Sequence, residues 1–106
     1  MKQNKRDKLK AAGWRVGDAG EFLGLSKEEA AFVEIKLALA ASLHRRRVRR
    51  NLTQEQLAQQ LGSSQSRVAK MEAADASVSL DLLVRSLLAL GASRRDVAKV
   101  LAAKVA

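Results

Sequence analysis

Five polar side chains crowd into seven residues of this sequence: Ser64, Gln65, Ser66, Arg67 and Lys70, interrupted by Val68 and Ala69. Hydroxyls, a carboxamide, a guanidinium and an ammonium offer hydrogen bonds and positive charge rather than bond-making chemistry. A glutamine can pair through both amide atoms with adenine N6 and N7, and Arg67 and Lys70 can reach guanine or phosphate. The parts for covalent chemistry are missing. Cysteine is absent and His44 is the single histidine, so neither a thiol nucleophile nor a zinc site is expected. The serines at 63, 64, 66 and 93 fall in cap and turn patterns with no histidine base within reach. The expectation is a binding protein without a cofactor, a metal or an enzymatic activity.

These groups need elements to hold them. Residues 53–72 read TQEQLAQQLGSSQSRVAKME, which predicts two short helices around a tight turn at Gly62. Thr53 and Gln56 form a capping-box pattern for the first, with Leu57, Ala58 and Leu61 as its buried stripe. Ser63-Ser64 opens the second, with Val68 and Met71 facing inward. Ala58 is small enough for the second helix to cross close above it. Before this pair, Ser26 and Glu29 open a long helix from Lys27 to about Arg50, on which Phe32, Ile35, Leu39, Leu43 and Arg47 share one face. After it, Ser79 caps a helix over Leu80–Leu90 closed by Gly91, and Ser93 with Asp96 opens a last one to about Ala103. The fold class expected is all-α, five helices with short connections, with no repeat or low-complexity linker.

Composition agrees. Proline is absent and only three residues are aromatic, a mix that favours helices over a sheet sandwich. A chain of 106 residues supports one core. No apolar run approaches the ~20 residues of a membrane span and the N-terminus lacks a signal-like stretch, so a cytoplasmic protein is expected. The net charge of +9 is uneven, with eight Lys/Arg against two Asp/Glu in residues 35–72. Such a surplus fits a polyanion partner or a solvated helix face, and charge alone leaves both open.

The run from Leu52 to Glu72 carries L-T-Q-x-x-L-A-x-x-L-G-x-S-x-x-x-V-x-x-x-E, and Val78–Gly91 carries V-S-L-D-x-L-x-x-x-x-x-A-L-G. Over roughly residues 36–101 the chain resembles the Cro/repressor-like (XRE) helix-turn-helix family. The resemblance implies operator DNA as partner, with Ser64, Gln65, Ser66 and Lys70 at base edges and Gln54 at backbone phosphate. It also implies an ion pair between Arg47 and Glu72. The helical face had already put Arg47 on the buried stripe, where an arginine needs a carboxylate. Arg67, Arg49 and Arg50 are candidates for phosphate contacts, while Arg45, Arg46, Arg49 and Arg50 are also read as simply solvated. The family usually has glycine where this sequence has Ala74, which would be strained if its φ is positive.

Residues 1–25 are read as an N-terminal arm and short helical extension, and 26–106 as the DNA-binding domain with C-terminal dimerisation helices. Gly13-Trp14, Val16–Ala19, Phe22–Leu25 and the long capped first helix are similar to HigA-like antitoxins. That resemblance implies a transcriptional repressor encoded beside a RelE/ParE-like ribonuclease toxin, which it also binds. Trp14, Glu21 and Phe22 are the toxin-binding candidates, though such aromatics also pack on their own domain. The alternative is a free-standing phage- or plasmid-type regulator. One recognition helix covers only a half-site, so a homodimer is expected. Leu82, Val84, Leu88, Val97, Val100 and Leu101 are the interface candidates, or else simply core.

Overall fold

A computed structural model describes residue 24 and residues 26–103, and places five helices there: α1 (Lys27–Arg49), α2 (Gln54–Leu61), α3 (Gln65–Glu72), α4 (Leu80–Ala89) and α5 (Arg94–Ala102). The architecture is all-α, and the described residues hold no strand. Each helix begins at the residue whose side chain can accept from its exposed first-turn amides: Ser26, Thr53, Ser64, Ser79 and Ser93. In α1, α2 and α5 the bond is returned, Glu29, Gln56 and Asp96 accepting from the cap's own amide.

The stops of α1 to α4 share one geometry. At the end of α1, Asn51 N–H donates to the Val48 carbonyl and Leu52 N–H to the Arg47 carbonyl, with Asn51 left-handed at φ 58°. The same paired bonds close α2 around Gly62, α3 around Ala74 and α4 around Gly91. Gly62 lets α2 and α3 meet at a tight turn. Ala74 sits at φ 54°, so the strain anticipated at this position is present.

The long α1 is the spine, packing against α3, α4 and α5, while α2 packs on α3 and α4 on α5. Leu39, Leu43, Leu57, Val68, Met71 and Leu83 are fully excluded from solvent, and Leu87 and Leu90 nearly so. Ala58 is buried on α2, the helix that packs most closely on α3. The Ser86 hydroxyl lies 3.5 Å from Met71 Sδ, linking α4 to the back of α3. The apolar face expected on α1 holds from Ile35 inward. Phe32 departs from it and is half exposed, because α1 reaches past the core at its N-terminal end. No residue of α5 is buried. Among the described residues, no helix is long and apolar enough to cross a membrane.

Candidate nucleic-acid interface

Arg47 is the anchor of the site. Its Nε donates to Glu72 Oε2 at 2.5 Å and its Nη2 to Glu72 Oε1 at 3.0 Å, a two-pronged pair between the end of α1 and the end of α3. Its Nη1 donates to the Leu52 carbonyl at 2.8 Å, fixing the α1–α2 connection as well. The side chains are 14% and 7% exposed, so the pair is largely shielded from water. The hydrogen bond to Glu72 raises the Arg47 pKa above its already high usual value. For Glu72, burial pushes the carboxyl up. Hydrogen bonds from Arg47, His44 and Gln54, with the Arg47 charge, outweigh it and hold the group below the usual carboxylate range.

Two further donors converge on Glu72 Oε1. His44 Nδ1 lies at 2.8 Å, and since a carboxylate only accepts, Nδ1 carries the proton. Gln54 Nε2 donates at 3.2 Å. Gln54 then accepts through Oε1 from Gln65 Nε2 at 2.7 Å. A continuous relay therefore runs from Arg47 through Glu72 and Gln54 to Gln65, the first residue of α3. Only one amide hydrogen of Gln65 is used in it. The other hydrogen and the Gln65 carbonyl oxygen stay available, which is the donor–acceptor set that adenine N7 and N6 require. Gln54 likewise keeps one amide hydrogen.

Beside the relay, Ser64, Ser66, Arg67 and Lys70 line a shallow concavity of about 240 Å³ with Ser77 and Val78 from the loop after α3. Arg67 and Lys70 are exposed. The helix that carries them is locked from behind by Val68 and Met71, and its cap Ser64 accepts from the Arg67 amide at 3.2 Å. Ser77 is drawn to this rim by a turn in which its amide and hydroxyl both bond Asp75 Oδ2. The structure thus brings together Gln54, Ser64, Gln65, Ser66, Arg67 and Lys70 on one side of the molecule.

Arg49 and Arg50 lie elsewhere. Arg49 lines a separate concavity with residues of α5, and the Arg50 guanidinium lies over Gly91, 2.9 Å from where a Cβ would stand. The dimer candidates divide. Leu82, Val84, Val97 and Val100 pack partly against the core, whereas Leu88 and Leu101 are 43% and 46% exposed. Trp14, Glu21 and Phe22 lie outside the described residues.

Sequence reasoning missed two members. His44 enters the sequence reading only as the single histidine; it is half exposed as a surface residue would be, and its ring bonds Glu72. The signal was present, since a residue three before Arg47 shares its helix face. Ser77 carried no signal, because only the fold of the loop brings it to the rim.

A family model described as a helix-turn-helix domain matches residues 38–100, well over half of the chain. No curated protein and no solved structure gives a significant match. The matched span begins within α1 and ends within α5, so it contains the whole relay and the concavity beside it. On these grounds the chain belongs to the helix-turn-helix domain family of DNA-binding proteins.

Proposed function

We propose that the chain is a sequence-specific transcriptional repressor of the Cro/repressor-like (XRE) kind, which binds operator DNA in the cytoplasm as a homodimer. The observation that carries this reading is the relay ending on Gln65. A surface glutamine normally surrenders rotamer freedom on binding, about 0.5–1.5 kcal/mol for a side chain of this sort. Here Gln54 holds the amide in place beforehand, and Glu72 and Arg47 hold Gln54. In this reading Ser64, Gln65, Ser66 and Lys70 meet base edges, while Gln54 and Arg67 meet flanking phosphates.

The test is a gel shift on the DNA upstream of the coding sequence, with wild type, Gln65→Ala and Lys70→Ala at two salt concentrations. Binding in the nanomolar range that weakens steeply with salt is expected. Gln65→Ala should lose about 1–3 kcal/mol of discrimination against a mutated site. Weak binding that ignores both substitutions and salt would instead make the helix-turn-helix a scaffold for protein contacts.

The likeness of residues 13–25 to HigA-like antitoxins supports a narrower assignment, in which the repressor also neutralises a RelE/ParE-like ribonuclease toxin through Trp14, Glu21 and Phe22. Co-expression with the neighbouring reading frame tests it. Rescue from a toxic neighbour and co-purification are expected; a harmless neighbour that does not co-purify leaves a free-standing phage- or plasmid-type regulator.

A further inference from the structure

The concavity that takes up Arg49 has no part in the recognition surface. At roughly 100° per residue, Ser42, Arg45, Arg46 and Arg49 fall on the side of α1 opposite His44 and Arg47, which face Glu72. Across from them, α5 contributes Asp96, Lys99 and Val100, and the space between is about 190 Å³. That is smaller than the ~300–1,000 Å³ of sites for drug-sized ligands. A small anion fits it; a whole nucleotide does not.

Two independent features point to a ligand. The first is charge. Four cations meet one carboxylate, and Asp96 is already occupied, its Oδ2 accepting from the Ser93 amide at 2.9 Å and lying 3.3 Å from Arg46 Nη2. Among the described residues no carboxylate pairs with Arg45, Arg49 or Lys99. Arg45 and Arg49 are four apart on one helix, where like charges repel. The second feature is Ser42. It is 5% exposed and lines the groove, yet its hydroxyl has no hydrogen-bond partner among the described residues. Buried hydroxyls are nearly always satisfied, so one without a partner beside a cationic groove points to an acceptor in a ligand.

We propose that the α1–α5 groove is a second anion site, built for a phosphate group that accepts from the Ser42 hydroxyl and is neutralised by Arg45, Arg49 and Lys99. The group is either a free phosphate-bearing small molecule or a backbone phosphate of DNA beyond the operator half-site. The groove shares no residue with the recognition helix, so the pyrophosphate test stands or falls separately from the repressor reading, and only the DNA-backbone source rests on that reading.

The full chain would be titrated with inorganic pyrophosphate by calorimetry, for wild type, Ser42→Ala, Arg49→Gln/Lys99→Gln and, as a charge-matched control, Arg67→Gln/Lys70→Gln. Saturable one-site binding is expected, weakened at least tenfold by the groove double substitution and several-fold by Ser42→Ala. The recognition-helix control should leave it unchanged. Ser42→Ala separates a ligand role from a structural one. Without phosphate it should melt no lower than wild type, because it removes an unsatisfied group rather than a bond.

No binding of pyrophosphate overturns the proposal, as does binding that falls equally in groove and control variants, the mark of diffuse surface charge. A second arm identifies the source by comparing operator duplexes with short and long flanks. A gain in affinity with the long flank that is lost in Arg49→Gln/Lys99→Gln assigns the groove to DNA backbone. Pyrophosphate binding without that gain assigns it to a free phosphate-bearing ligand.

Discussion

Arg47 shows how far the bonds of one structural residue reach into the candidate interface. Its guanidinium closes the α1–α2 connection on the Leu52 carbonyl and pins Glu72, which in turn holds Gln54 against Gln65. Removing one partner of a shielded pair leaves the other charge without compensation, so Arg47→Ala should cost about 3–5 kcal/mol in urea unfolding. The pair also sets an acid limit. Glu72 has its folded-state pKa below that of the unfolded chain, so its stabilisation is complete above the usual glutamate range and is lost as pH falls through the depressed value. Unfolding measured across acidic pH should show this slope in wild type and a shallower one in Glu72→Gln; equal slopes would mean the pair adds no net stability. Arg47 was legible because a charge on an apolar stripe demands an explanation. His44 shares that face three residues earlier, but an exposed histidine makes no such demand for a partner.

At the scale of helices, the starts were fully written in local chemistry, a serine or threonine before each first turn. The stops were less so. Glycine announced the ends of α2 and α4, but Asn51 closes α1 in the same left-handed conformation and gave no comparable signal, although asparagine is among the few residues that adopt it readily. Ala74 is the instructive case. Replacing it with glycine relieves about 1–2 kcal/mol of left-handed strain. The change also removes a methyl that is 4% exposed, about 0.8 kcal/mol, and loosens the unfolded chain by about 0.4–1 kcal/mol. These effects nearly cancel. Ala74→Gly should therefore leave stability within about 1 kcal/mol of wild type, a melting shift of no more than about 4–8 °C. Ala74→Val, with a branched Cβ at positive φ, should lose distinctly more. A large gain with glycine would mean that the buried methyl contributes little, and that the loop before α4 is held by its hydrogen bonds alone.

Among the described helices, α5 is the one held by partial burial alone. α5 is capped and amphipathic, but none of its residues is buried, and it leans on α1 through Val97, Val100 and the contact of Asp96 with Arg46. Period and charge predicted α5 as a helix but not its neighbour, because packing across 50 residues of sequence leaves no local trace. For the same reason Arg49 and Arg50 could be identified as exposed cations without their surfaces being known. In the proposed homodimer a second copy of the chain would cover the C-terminal face, with Leu88 and Leu101 as the side chains that gain most from burial. A stable pairing needs about 800 Å² from each partner, so these two would act with half-buried neighbours such as Val84 and Val97. Leu88→Asp/Leu101→Asp changes only positions that water already reaches, and the fold should survive it unaltered by circular dichroism. Sedimentation should then find a dimer for wild type and a monomer for the double variant, and operator affinity should fall by at least tenfold because each half-site must be held alone. A double variant that remains dimeric would move the interface to another face of the molecule, and the exposed N-terminal end of α1 around Phe32 would be the next surface to probe.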